Sequence, residues 1–337
     1  MSYPKAAMLM RTDLPTDLFD ARTWHHLHEV VHIASDLPAS TWPEAHTAGW
    51  QEEVEILLTG WGAPYINESA LDDMPNLRAI VHAAGSVKEL IAPAAWERGV
   101  VVATAAEANS IPVAEFTLGC ILLALKRSWL ASARLRGVVT GGVPSSSSGL
   151  EMVGTYNRVV GIIGASRIGR RLIDLLRPFD VDVLVYDPFV TQADANDMGV
   201  ELTNLDALLV RSDIVTLHAP SNSATRHMIT AQRLSLMRDG ATLINTSRGA
   251  LVDHLALTRE VISGRLSTIL DVTDPEPLPA NHPLLHAPGA FVTPHIAGAL
   301  GTELRRLGSW AVEEIKRYTE GIPFAAPVTL DDLSRIA

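Results

Sequence analysis

Residues 159–187 read VVGIIGASRIGRRLIDLLRPFDVDVLVYD. Val159-Val160-Gly161-Ile162-Ile163 is a short, β-branched apolar run, the pattern of a strand buried on both faces. The turn Gly164-Ala165-Ser166-Arg167-Ile168-Gly169 follows at once, and Ile168, Leu172, Leu175 and Leu176 then recur at helical spacing. A second apolar strand, Val181 to Tyr186, ends on Asp187, 18 residues past Gly169. Strand, small-residue turn, helix, strand and terminal acid predict a βαβ unit able to hold a dinucleotide.

Each residue has a physical reason. Gly164 permits the tight turn, a small residue at 166 lets a pyrophosphate approach the backbone, and Gly169 lets the helix pack close to the strand. The helix N-terminus offers N–H groups and positive dipole to phosphates. Asp187 would accept from the ribose hydroxyls of an NAD-type adenosine. Ser166 stands where glycine is usual, and its hydroxyl either bonds the pyrophosphate or pushes it outward.

The 337 residues suffice for two domains, and 47% hydrophobic with 19% charged residues suit a globular chain. A net charge of −11 argues against nucleic acid as a partner, which needs a basic face. It also requires local cations to capture an anionic substrate. The one cysteine, Cys120, permits no internal disulfide and reads as a small buried hydrophobe. No stretch is expected to supply the roughly 20 apolar residues that cross a bilayer. The start of the chain reads as a strand rather than a signal peptide, so a cytoplasmic location and no membrane partner are expected.

Strands are expected at Lys5–Met10, Val54–Thr59, Leu77–His82 and Val100–Ala103, with a further one within Glu29–Ser35. Beyond the βαβ unit they are expected at Asp213–His218, Ala241–Thr246, Leu266–Leu270 and Phe291–Thr293. Pro112 suits a first helical turn, and the apolar run Val113–Leu125 predicts a buried helix continuing to about Arg136. A Gly/Ser-rich loop containing Ser145–Ser148 follows. Leu304–Tyr318 is amphipathic and is expected to return to the first domain. The fold expected is therefore α/β with two domains. Residues 1–108 and 298–337 would form a smaller flavodoxin-like unit, and 109–297 a Rossmann-type doubly wound parallel sheet.

Three segments place polar residues at strand ends, where open parallel sheets bind ligands: NTSRG (245–249), DVTDPEP (271–277) and TPHIAG (293–298). Arg248 can clamp a carboxylate in forked geometry. His295 can give and take a proton near neutrality, and Glu276 can fix its tautomer. His25, His28 and His32 share a face only if one helix carries all three. Val30–Ile33 looks more like strand, so no metal site is expected.

With VAE (113–115), GIIGASRIG (161–169), HAP (218–220), NTSRGALVD (245–253), LDVTDPEPL (270–278) and TPHIAG (293–298), the chain resembles the D-isomer-specific 2-hydroxyacid dehydrogenase family, and within it the glyoxylate and hydroxypyruvate reductases. The resemblance implies an NAD-dependent oxidoreductase interconverting a small 2-oxo acid and its D-2-hydroxy acid in a cleft between the domains. Arg248, Glu276 and His295 would be its catalytic trio. Gly164, Ser166, Arg167, Ile168, Gly169, Asp187, His218, Ala219, Pro220, Thr246 and Asp271 would meet the cofactor, Asp271 through the nicotinamide carboxamide. Trp61, Gly85 and Ser86 would join Arg248 at the substrate, although HAAGSVKEL (82–90) departs from the family's glycine-rich loop. Glu276 is glutamine in the formate-oxidising branch, which disfavours formate, and Pro188-Phe189 lacks a cation for a 2′-phosphate. Only 42 residues follow His295, so the regulatory domain of many phosphoglycerate dehydrogenases is not expected. A homodimer covering helix 113–125 is expected. Alternatives are another 2-oxo acid, phosphoglycerate, or an NAD(H)-sensing binding protein without turnover.

Overall fold

The structure, a computed structural model, describes residues 3–136 and 153–334; the Ser-rich stretch 145–148 lies outside them. The chain divides into two compact units. One runs to Ser110 and resumes at Ala299, and the other is Ile111–Gly298.

The first unit holds strands β1 (Lys5–Leu9), β2 (His32–Ile33), β3 (Ile56–Thr59), β4 (Ala79–His82) and β5 (Val101–Thr104). All pair in parallel, in the order β2-β1-β3-β4-β5, which is the flavodoxin-like order. Side chains alternate between two cores. Met8, Ile56, Leu58 and Val81 meet the helices 14–18, 21–30 and 304–319, while Ala7, Leu9, Leu57 and Ile80 meet the helices 42–48, 68–72 and 94–97. The last helix, Leu304–Thr319, returns to this sheet as expected, burying Leu304, Leu307, Ala311 and Ile315. It approaches so closely that a Cβ on Gly308 would stand 2.0 Å from the Leu18 carbonyl oxygen.

The second unit holds β6 (Arg158–Ile163), β7 (Val181–Tyr186), β8 (Glu201–Leu202), β9 (Ile214–Leu217), β10 (Thr242–Asn245), β11 (Ser267–Leu270) and β12 (Ala290–Val292). They form one sheet in the order β12-β11-β10-β9-β6-β7-β8, again parallel throughout. This is the doubly wound Rossmann order, with its switch point between β6 and β9. Val160 and Ile162 face a core built with helices 106–125 and 167–176. Ile163, Val215 and Leu243 face the opposite core under helices 205–211, 231–236 and 254–262.

Four local expectations change. The long helix begins at Ala106, so Pro112 is its seventh residue rather than its first turn. Ala106, Glu107 and Ala108 are good helix formers, and the lost Pro112 N–H is outweighed by the apolar face beyond it. The helix stops at Leu125. Arg127, at φ +49°, breaks it from a separate helix, Ser128–Leu135. Glu29 and Val30 end helix Ala21–Val30, leaving a strand of only His32–Ile33. Finally, Ala106–Leu125 is 20 residues long, with a window of mean hydropathy 1.6, so by length and composition one helix could cross a membrane; 56% of that window is buried inside the fold. It is a core helix by packing, carrying Ile121, Ala124 and Leu125 into the interior.

His25 and His28 lie on helix 21–30 and His32 on β2, so the three share no helix face. His25 Nε2 sits 3.3 Å from Glu29, and His28 Nε2 3.7 Å from Asp36. Cys120 is buried, and burial pushes its thiol up to about 12, so it stays protonated.

Gly308→Ala should lower the stability of the chain by about 1–3 kcal/mol, because the added methyl must displace backbone. Urea denaturation would show it as a fall in the midpoint at unchanged m; an unchanged midpoint would contradict the close contact.

Candidate active site

At the switch point the turn expected from the sequence is formed. Gly164 has φ +97°, and a Cβ there would stand 2.7 Å from the Ala219 nitrogen. A Cβ on Gly169 would stand 2.1 Å from the Gly164 carbonyl oxygen, so helix Arg167–Leu176 lies against the end of β6 as only glycine allows. Ser166 caps that helix, its Oγ accepting from the Gly169 N–H at 3.4 Å. The hydroxyl is therefore turned toward the helix, and the N–H groups of Arg167 and Ile168 remain outside that cap. The helix buries Gly169, Leu172, Ile173 and Leu176, while Leu175 of the apolar repeat is half-buried.

Asp187 follows β7. Its Oδ2 accepts from the Ala165 N–H at 2.8 Å and its Oδ1 from the Phe189 N–H at 2.8 Å. The carboxylate thus braces the turn it was expected to serve, with lone pairs left on both oxygens for a ribose. His218 and Ala219 are buried at the end of β9, against Gly164. His218 Nε2 lies 3.0 Å from Thr216 Oγ1, and burial lowers the ring from its ordinary 6.5 to about 3. Pro220 follows, its carbonyl accepting from Thr225 Oγ1 at 2.6 Å.

Strands β10, β11 and β12 are neighbours and end level, at Asn245, Leu270 and Val292. Their three following loops therefore meet along one edge. Asn245 folds the first, donating to the Arg248 carbonyl at 2.9 Å and accepting from the Ser247 N–H at 3.0 Å. Ser247 Oγ reaches the Ala219 carbonyl at 2.9 Å, and Thr246 Oγ1 meets Thr117 Oγ1 at 2.9 Å. Half-buried Arg248 donates from Nη1 to the Ser247 carbonyl at 2.7 Å. Next to it, a Cβ on Gly249 would stand 2.0 Å from the Thr273 carbonyl, which forces glycine where the first two loops touch.

The second and third loops bring Glu276 and His295 together: His295 Nδ1 and Glu276 Oε1 are 2.6 Å apart, and both side chains remain partly exposed, by 52% and 40%. The Asp274–Pro275 and Glu276–Pro277 peptides are cis. His295 has φ +57°, the left-handed region. Asp271 is 2% exposed, and its carboxylate accepts from Thr293 Oγ1, Ile296 N and Ala297 N at 2.6–2.9 Å. Sequence reasoning missed Thr293, Asn245 and Thr117 as organisers of this edge. Thr117 in particular, inside an apolar run, carries no local signal of a partner 129 residues away.

Trp61, Gly85 and Ser86 belong to the first unit, just beyond β3 and β4, which are adjacent strands. The Trp61 carbonyl accepts from the Arg11 N–H at 2.9 Å across that unit's own switch point. Ser86 Oγ accepts from the Lys88 N–H at 3.4 Å. Behind them His82 is buried, its Nδ1 2.9 Å from Thr59 Oγ1, and burial lowers it to about 4.

Residues 120–297 match the family described as D-isomer specific 2-hydroxyacid dehydrogenase, NAD binding domain. A glyoxylate reductase of Thermofilum pendens is 33% identical over 300 residues, covering 87% of this chain and 85% of that protein. A D-3-phosphoglycerate dehydrogenase of Methanocaldococcus jannaschii is 30% identical over 272 residues, 80% of this chain but 51% of that one. The chain spans about half the length of that and the other phosphoglycerate dehydrogenases it matches. In structure, the apo D-mandelate dehydrogenase of Rhodotorula graminis superposes with a TM-score of 0.80 over 97% of both chains at 21% identity, a likeness of fold. This chain belongs to the D-isomer specific 2-hydroxyacid dehydrogenase family, and its second unit is the family's NAD-binding domain.

The two buried imidazoles set a pH dependence. In the unfolded chain both rings protonate as pH falls below 6.5, whereas the folded chain resists until about 4 for His82 and about 3 for His218. Stability is then fully present above 6.5 and lost progressively below it. Urea titrations across that window should show the decline, and His218→Gln should flatten it; an identical slope in the variant would exclude His218 as a contributor.

Proposed function

We propose that this chain is an NAD(H)-dependent oxidoreductase interconverting a small 2-oxo acid and its D-2-hydroxy acid, with glyoxylate or hydroxypyruvate as the 2-oxo acid. The observation that carries it is the His295–Glu276 pair, 2.6 Å apart at the carboxyl edge of a dinucleotide-binding sheet. NADH, when bound, supplies the hydride for reduction.

The chain's own residues do the rest. With Nδ1–H donated to Glu276, the neutral His295 ring presents a bare Nε2, and the charged ring presents Nε2–H. Nε2 thus protonates the developing alkoxide in reduction and removes the hydroxyl proton in oxidation. Arg248 holds the carboxylate or carbonyl oxygen of the substrate by its forked N–H groups. In the first unit, the backbone at Gly85 and Ser86 receives the substrate carboxylate and Trp61 lines a wall. Gly164, Ser166, Arg167, Ile168 and Gly169 cradle the pyrophosphate. Asp187 receives the adenosine ribose beside His218, Ala219 and Pro220, and Thr246 and Asp271 stand at the nicotinamide end of 109–297.

Glyoxylate is favoured by relatives of similar length, the glyoxylate reductases of Thermofilum pendens and Aeropyrum pernix, the latter 31% identical over 76% of its length. Similarity to phosphoglycerate dehydrogenases keeps phosphoglycerate as the second reading. The lone cysteine suits a cytoplasmic location, and a homodimer would cover the exposed side of helix Ala106–Leu125, where Leu123 is 51% exposed.

A panel of 2-oxo acids with NADH and NADPH, followed at the nicotinamide absorbance, tests the reading. Binding of NADH without turnover of any acid would replace it with a sensing role. His295→Ala should lower kcat by about 100-fold or more while NADH affinity stays within about threefold. Near-normal kcat in that variant would remove His295 from the proton step. Asp187→Ala should weaken NADH and narrow its advantage over NADPH; wild-type affinities that are equal for the two would refute the ribose assignment.

A further inference from the structure

The loop that carries His295 has no conformational support of its own. Residue 294 is proline, and His295 sits in the left-handed region, where a side chain with a Cβ is strained. Yet every backbone N–H from 293 to 297 is taken up by two residues of the next strand end. Thr293 N–H donates to the Leu270 carbonyl at 2.9 Å and His295 N–H to the Asp271 carbonyl at 2.9 Å. Ile296 N–H donates to Asp271 Oδ1 at 2.7 Å and Ala297 N–H to Asp271 Oδ2 at 2.9 Å. Thr293 Oγ1 adds a fourth donor to Asp271, at 2.6 Å. Asp271 is itself anchored, its N–H donating to the Asn245 carbonyl of β10 at 3.0 Å, and it is almost wholly buried.

We infer that Asp271 is the positioning residue for His295: its backbone carbonyl and both carboxylate oxygens hold loop 293–297 in the one conformation that sets the His295 ring against Glu276. This rests on the reaction proposed above for its kinetic consequence, but not for its structural one. The physical case is satisfaction of donors. A buried carboxylate with three charge-assisted hydrogen bonds fixes three points of a five-residue loop. The strained residue lies between two of them, so the loop cannot relax without leaving a buried carboxylate short of donors. The role is separate from the nicotinamide contact expected of Asp271, because it acts through the His295 loop and is read at the His295 ring.

Asp271→Asn tests it. The amide keeps the volume but turns an N–H₂ group toward an N–H donor, so at least one clamp is lost. The kcat on the best substrate of the panel should fall about 10- to 100-fold. The ¹⁵N shifts of the His295 ring, assigned with the His295→Gln variant, should change from a fixed Nδ1–H tautomer to the average of a freely exchanging imidazole. Thr293→Val removes a single donor at a residue with no assigned cofactor contact; it should lower kcat and shift the ring signature partway with NADH affinity within about threefold, which keeps the test open if Asp271→Asn fails to fold. An unchanged ring signature in either folded variant, or NADH affinity falling in step with kcat in Thr293→Val, would overturn the assignment. If the wild-type chain turns over no 2-oxo acid, the proposed reaction fails while the ring signature still decides the role of Asp271.

Discussion

A parallel sheet buried on both faces leaves polar chemistry only its edges, and that constraint organises both units. In the second unit the interior strand positions are filled by Val160, Ile162, Ile163, Val215, Leu243, Ile244 and Ile269, with no room for a titrating group. The strands run the same way, so their carboxyl ends align, and Gly164, His218, Thr246, Asp271 and Thr293 emerge along one rim. Residues from five distant segments become neighbours because hydrogen-bonded registers put them there, not because any pair attracts the other.

Along that rim most polar side chains serve the backbone first. Asp187 braces the Ala165 turn, Ser166 caps the helix, Asn245 folds the loop around Arg248, and Asp271 clamps the loop around His295. Each loop leaves a buried sheet and must satisfy N–H groups that no strand can pair. Short acceptors beside the strand ends meet that demand and also make the loops stiff. Stiffness is what the proposed proton donor, His295, and the proposed carboxylate clamp, Arg248, require, since misplacement by about 1 Å costs rate steeply.

How much of this was legible depends on range. Strand β7 was read to the residue from its apolar run, and the helix after Gly164 from its small-residue turn, because both signals are local. Pro112 was misread because its local preference for a first turn is real but weaker than the apolar helix on both sides of it. The helical repeat of Ile168, Leu172, Leu175 and Leu176 omits Ile173, which is buried, because a periodicity does not say which of two adjacent faces meets the sheet. The buried helix read from the apolar run Val113–Leu125 begins earlier, at Ala106, because Glu107, Asn109 and Ser110 carry no apolar signal before Pro112.

By itself the sequence determined the alternation of buried strands and helices, the glycines at 164 and 169, and the identity of Arg248, Glu276 and His295. Those follow from hydrophobic period, from φ and from side-chain chemistry, all of which are properties of a few consecutive residues. Tertiary structure alone decided that Glu276 and His295 touch, that Gly249 must be glycine because Thr273 lies on it, and that Asp271 spends its carboxylate on the His295 loop. These are contacts between strand ends about 20 residues apart or more, and only the register of β10, β11 and β12 brings them within hydrogen-bonding distance.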